Sequence, residues 1–289
     1  MGKFSDEELK YLYIVTAGTS AVSLLGCLFI ICAYLYFKEI RNLPFKLVFY
    51  LSINDAIHSL VFMIPDGHDG SPICYIQAVG VTSTSLAEAL LTVEIALVLY
   101  VAVVKEKPVE KLEKWFTRFA LTASVVAGAL PFTTNSYGDS GGWCWIPDET
   151  RNIPWVVITF YGPLWVIIAF NIYAYFSVIQ KIKAQFNMFS GKEESSRQLV
   201  KKLKFYPIIL VVCFLVATID RIYNFIHLGE PNYILTTIAG FFICLTGILN
   251  AIVYGLTYAV QQQLRRTCLR RRYSSLNSEY SLSEASLSN

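Results

Sequence analysis

The stretch YLYIVTAGTSAVSLLGCLFIICAYLYF, residues 11–37, runs 27 positions without a charged side chain. At about 1.5 Å of rise per residue, a helix of that length crosses a hydrocarbon layer about 30 Å thick. Six more apolar blocks follow, at 45–65, 74–104, 115–134, 154–179, 205–228 and 233–260. Composition agrees, since 55% of the 289 residues are hydrophobic and only 16% are charged, against about a quarter charged in ordinary soluble domains. Core helices of a soluble protein would carry charged stripes facing solvent, and these blocks lack them. A segment exposed to lipid has to satisfy its backbone polar groups internally, which a helix does. The reading is an all-α membrane protein, a seven-transmembrane-helix bundle.

Orientation follows from the basic residues. On an odd-even topology, 20 of the 24 lysines and arginines fall on one side. The other side holds Lys3, Lys10 and Arg151, and Arg221 sits alone inside a span. Short basic loops stay in the cytosol, so the N-terminus is expected outside and the C-terminus inside. This division predicts a short extracellular terminus at 1–10, a seven-span bundle at 11–262 and a cytosolic basic segment with a serine-rich tail at 263–289. No cleavable leader is expected, because residues 1–10 are polar and acidic and the first apolar block is too long for a signal core. The cations are spread over four short segments, which speaks for membrane orientation and against a nucleic-acid partner.

The seven cysteines divide by depth. Cys27, Cys32, Cys213 and Cys244 lie within apolar blocks, and Cys268 lies in the basic segment where palmitoylation is chemically suited. Cys74 and Cys144 are the pair expected outside the membrane, where a disulfide persists. Their bridge would staple the third span to the loop between the fourth and fifth. That loop carries GGWCWIPD, residues 141–148, and Trp143 and Trp145 flank the cysteine as amphipathic indoles suited to an interface. The expected result is a lid pinned across the outer mouth of the bundle.

Six stretches in order then carry a family resemblance: FKLVFYLSINDAIHS (45–59), VVKEKPVEKLE (103–113), GWCWI (142–146), TFYGPLW (159–165), ATIDRIYNFI (217–226) and LNAIVYG (249–255). The chain resembles the cyclic-AMP-receptor-like class of seven-helix G-protein-coupled receptors, and looks most similar to its plant branch. The resemblance implies a plasma-membrane receptor that turns an extracellular signal into activation of a cytosolic heterotrimeric G protein, with no enzymatic step and no cofactor. In Leu249–Gly255 it implies a variant of an Asn-Pro-x-x-Tyr switch, with Ala251 where proline is usual.

Ionisable groups at bilayer depth cost at least about 2.5 kcal/mol each unless paired or hydrated, so function concentrates there. The spans hold Asp55, Glu88, Glu94, Asp220 and Arg221. Helical rise places Asp55 about 13 Å from the start of its block and Glu88 about 21 Å from Cys74, both near the midplane. Asn54, Asp55, Glu88, Asn250 and Tyr254 are therefore expected to form a polar switch core whose protonation or hydration changes between inactive and active bundles. A purely structural role, knitting helices by hydrogen bonds, is the competing reading. Asp220 and Arg221 lie about 8 to 12 Å from the outer end of the sixth span, at pocket depth, and with Asn224, Trp143 and Trp145 they form the expected ligand pocket and lid. Neighbours at i and i+1 face different ways, so Arg221 should find another carboxylate or a ligand anion.

The ligand itself stays unnamed. Acidic residues dominate the predicted outer segments, a field that disfavours an anionic nucleotide unless pocket arginines overrule it. Retinal is excluded by the lack of a lysine at 233–260. On the cytosolic side, Lys105, Lys107, Lys183, Lys201, Lys202 and Lys204 are the expected G-protein contacts, and anionic lipid headgroups compete for the same cations. The inner end of the third span reads LYVAVVK, residues 99–105, with no arginine. An arginine for G-protein coupling is therefore missing at that point. Two rival functions fit less well. A zinc hydrolase needs ligands grouped at one depth, but His58, His68 and His227 are scattered and no metal site is expected. An ion- or proton-coupled transporter using Asp55, Glu88 and Asp220 is the alternative function, although the repeats typical of carriers are missing.

Overall fold

The computed structural model describes residues 4–65, 70–188, 205–227, 230–255, 260–263 and 265. Among them, seven helices are long and apolar enough to cross a membrane. Helix α1 (Asp6–Tyr36) starts five residues ahead of the apolar block. Ser5 and Glu8 close a capping box there, each satisfying the other's backbone N–H. Helix α2 (Leu43–Phe62) is capped by Asn42, whose Oδ1 accepts from the Phe45 amide at 3.0 Å. Helix α3 (Pro72–Val103) is capped by Ser71 and begins with a proline whose missing N–H costs nothing at that position. Helix α4 (Glu110–Ala129) tightens into a 3-10 turn at Leu130–Thr134.

Helix α5 is irregular. It enters as Ile153–Val156, widens into a π turn at Val157–Tyr161, and continues as Gly162–Met188. Pro163 has no N–H to offer the turn before it, which interrupts the regular ladder. A Cβ on Gly162 would lie 2.7 Å from the Val157 carbonyl oxygen, so the bulge needs glycine there. Nothing in the sequence anticipated this turn, which projects Phe160 toward Phe214 and the Tyr161 hydroxyl toward the Ala217 carbonyl. Helices α6 (Phe205–Ile226) and α7 (Tyr233–Gly255) complete the set.

Lipid gives apolar side chains no reason to prefer one another, so helices associate where small residues let backbones approach and polar groups pair. The α1–α7 seam is such a place. Ser23 donates to the Cys244 carbonyl at 2.5 Å and accepts from the Ile248 amide at 3.2 Å. A Cβ on Gly26 would come within 2.8 Å of Ile248 and 3.0 Å of Ala251. Helices α2 and α3 are the most buried of the seven, at 67% and 61% of their apolar cores, against 28% for α1. Leu25, Val125 and Val166 are exposed, as residues facing acyl chains should be.

Between α4 and α5 the chain forms a two-stranded hairpin, β1 (Gly138–Asp139) pairing antiparallel with β2 (Cys144–Trp145). Gly141 and Gly142 turn it at φ +85° and +134°, and the Asp139 carboxylate accepts from the Gly141 amide at 2.8 Å. The hairpin lies across one end of the bundle. The α3–α4 connection lies at the other, basic end.

Candidate ligand pocket and polar core

The hairpin is fixed covalently. Cys74 and Cys144 form a disulfide with a Cα separation of 5.2 Å, tying the first turn of α3 to β2. Around it, Gln77 serves both neighbours: its Oε1 accepts from the Cys144 amide at 2.8 Å and its Nε2 donates to the Ile64 carbonyl at 3.0 Å. Thr82 accepts from Trp145 Nε1 at 2.9 Å and from the Tyr137 hydroxyl at 3.1 Å. Burial pushes that hydroxyl up to about 12, so Tyr137 stays a proton donor at any physiological pH. Gln77 and Thr82 carried no signal in the sequence beyond being polar in an apolar span.

Both lid indoles turn inward. Trp143 and Trp145 are each 5% exposed, so they roof the bundle and do not form an interfacial belt. Trp143 meets Phe62 edge-on with centroids 5.8 Å apart, and Trp145 meets Phe160 at 5.9 Å. Beneath them lies a cavity of about 30 Å³, space for about two waters. Phe62, Val81, Ser85, Phe160, Phe214 and Ile243 line it, with Asp220 and Arg221 at its edge.

Arg221 is the polar centre of the roof. Its guanidinium pairs with Asp148, donates to Ser140 Oγ and the Ile146 carbonyl at 3.3 Å each, and lies 4.5 Å from the Trp145 ring centroid. The carboxylate it sought is thus on the lid, three residues beyond Trp145. Asp148 was not singled out from sequence, although an acid beside a Trp-Cys-Trp motif was the available clue. Asp220 faces elsewhere and accepts the Thr236 hydroxyl of α7 at 2.8 Å. Asn224 is buried one turn beyond Asp220.

One layer further in, three helices meet through polar groups. Asp55 of α2 accepts from Asn250 Nδ2 of α7 at 2.9 Å, and Glu88 of α3 accepts the Thr246 hydroxyl of α7 at 3.4 Å. Asn54 faces α3 and donates to the Thr84 carbonyl at 3.0 Å, and Thr84 Oγ1 lies 2.7 Å from His58 Nδ1. The Tyr254 side chain lies outside the described residues. Roof cavity and core share two helices in register. Ser85 and Ile243 line the cavity, and Glu88 and Thr246 stand one turn below them, about 4.5 Å along the same axes.

At the basic end, Glu94 belongs to a separate cluster. It accepts the Thr117 hydroxyl of α4 at 2.6 Å, while Glu113, one turn before Thr117, pairs with Lys46 of α2 at 3.0 Å. Lys181 on α5 pairs with Glu106 at 3.0 Å, closing the α3–α4 connection against α5. Lys105, Lys107 and Lys183 are exposed. Lys201, Lys202, Lys204 and Cys268 lie outside the described residues.

Seven spans, a disulfide-pinned hairpin roofing an aromatic cavity, and a polar layer joining α2, α3 and α7 define a seven-helix membrane bundle with a covered pocket at one end. The family model described as slime mold cyclic AMP receptor matches residues 2–264, and the chain belongs to that family. It is 32% identical over 259 residues to G-protein coupled receptor 1 of Arabidopsis thaliana, covering 86% of this chain and 79% of that protein. It is 26% identical to cyclic AMP receptor-like protein A and to cyclic AMP receptor 4 of Dictyostelium discoideum, covering 88% and 84% of this chain. The chain spans 66% and 58% of those two relatives' lengths. This membership does not favour the carrier alternative.

Proposed function

We propose that this protein is a plasma-membrane receptor that binds an extracellular small molecule beneath the hairpin and passes the signal to a cytosolic heterotrimeric G protein, with no catalytic step of its own. The hairpin end then faces outside and the basic end the cytosol, a reading that the distribution of lysine and arginine supports. The observation that carries the reading is the shared register of cavity and core. A ligand that displaces the roof presses on Ser85 and Ile243, and any rotation of α3 or α7 there moves Glu88 and Thr246 one turn away.

In the present arrangement the two indoles are buried and Arg221 is paired with Asp148 at the roof, which supports reading it as a closed arrangement. A ligand has to part that pair. Names of the Dictyostelium relatives speak of cyclic AMP, and an anionic nucleotide could exchange with the Asp148 carboxylate at Arg221. Relay to the basic end runs through Asp55, Asn250 and Glu88, and Lys105, Lys107 and Lys183, with Lys201, Lys202 and Lys204, present cations to the G protein. No arginine at 99–105 takes part.

The test is nucleotide exchange on a purified heterotrimeric G protein, catalysed by the receptor in nanodiscs and screened against small molecules, cyclic AMP included. Ligand-dependent exchange that Asp55→Asn alters at normal surface expression supports the proposal. Exchange that proceeds unchanged in Asp55→Asn refutes the relay, and no exchange with any compound, together with ion flux in proteoliposomes, refutes the receptor.

A further inference from the structure

We infer that the outward face of α4 at the basic end is a binding site for the phosphorylated headgroup of a membrane phospholipid. Lys111, Lys114 and Arg118 stand at i, i+3 and i+7, a single stripe, and all three are exposed. Their axial spread is about 10 Å, the depth of a headgroup layer, and Arg118 reaches back to that layer by extending its stem. Between them Trp115 is 66% exposed and stacks on Phe119 with centroids 5.7 Å apart, an aromatic pair of the kind that anchors a helix at the membrane interface.

Three further observations point to an anion. None of the three cations has a carboxylate within ion-pair distance among the described residues, whereas Lys46 and Lys181 nearby are both paired. Glu113 turns away to Lys46, which leaves Glu110 as the one acid on the exposed side of the first two turns. The helix also starts without a side-chain cap, because Val109 has no oxygen to offer, and its first amides add positive potential beside Lys111. Charge and interface position together fit a lipid bearing several phosphates, since one phosphate cannot reach cations spread over two turns.

The opposite face of the same two turns holds Glu113 and Thr117, which tie α4 to Lys46 of α2 and Glu94 of α3. A headgroup bound outside would therefore hold the foot of α4 against the bundle. The inference needs the chain to span a bilayer but does not depend on G-protein coupling.

The experiment is titration of detergent-solubilised full-length receptor with fluorescent short-chain phosphatidylinositol 4,5-bisphosphate, read by anisotropy. Lys111→Gln/Lys114→Gln/Arg118→Gln is expected to weaken binding about a hundredfold, because each cation near a headgroup contributes roughly fivefold. Lys181→Gln/Lys183→Gln should stay within about twofold. The single variants Lys111→Gln and Lys114→Gln, each expected at about fivefold, serve if the triple variant does not accumulate. Equal losses from the α4 and α5 variants would mean diffuse charge and overturn the site. Binding of free inositol trisphosphate as tight as that of the lipid, or unchanged binding in the triple variant, also overturns it.

Discussion

Removing the charge of Asp148 tests the roof directly. In Asp148→Asn the side chain keeps its size and one acceptor oxygen, but Arg221 becomes a buried cation without a counter-charge. The side chains of Arg221 and Asp148 are only 6% and 12% exposed, so water cannot take over. Breaking a buried pair by removing one partner costs about 3–5 kcal/mol. Arg221 retains Ser140, the Ile146 carbonyl and the Trp145 face. The amide that replaces the carboxylate still accepts a hydrogen bond, so the expected loss is about 2–3 kcal/mol. At about 2 °C per kcal/mol for a chain of this size, the unfolding midpoint in detergent should fall by about 4–6 °C. The control is Asp148→Asn/Arg221→Gln, which removes both charges and leaves none stranded. It should be more stable than Asp148→Asn alone, a non-additivity that a double-mutant cycle measures. A midpoint for Asp148→Asn equal to that of the parent, or a double variant as unstable as the two single losses combined, would falsify the assignment of Asp148 as the partner of Arg221.

Other consequences follow from the same contacts. Cys74→Ala opens a loop of 70 residues and should cost about 4 kcal/mol, seen as lower surface expression and a lower midpoint under oxidising conditions. Gly26→Val drives a side chain into Ile248 and Ala251, and over-packing of this kind costs about 1–3 kcal/mol. Its destabilisation should shrink when Ile248→Ala is added, and additive losses would show that α1 and α7 do not touch there. Thr117→Val removes the hydroxyl given to Glu94 and leaves that buried carboxyl poorer by one donor, a loss of about 1–3 kcal/mol. Thr117→Ser, which keeps the hydroxyl, should restore most of the lost stability. Failure to do so would mean the methyl and not the hydrogen bond matters.

Much of this molecule is legible along the chain because the bilayer is a severe solvent. Apolar runs of about 20 residues or more, with at most two charges, have one stable solution in hydrocarbon, so the seven spans and their order follow from counting, as the first residue of α7 and the last turn of α1 show. Compartment chemistry likewise separated Cys74 and Cys144 from the cysteines inside the spans. Rarity did the same for Asp55, Glu88, Asp220 and Arg221, because a polar group at depth is costly enough to be noticed one residue at a time. Pairing is another matter. Which carboxylate meets Arg221 depends on how a hairpin folds back over 70 residues of intervening span, and the answer, Asp148, lies in a loop where an acid is ordinary. That Asn54 faces Thr84 while Asp55 takes Asn250, that Glu94 joins Thr117, and that α5 swells at Val157–Tyr161 are equally matters of rotation and register between helices. Local sequence determines whether a residue can enter the membrane. Only the packed bundle decides its neighbour, because side-chain contacts across helices depend on crossing angle and axial offset, and those are set by the sum of all the seams at once.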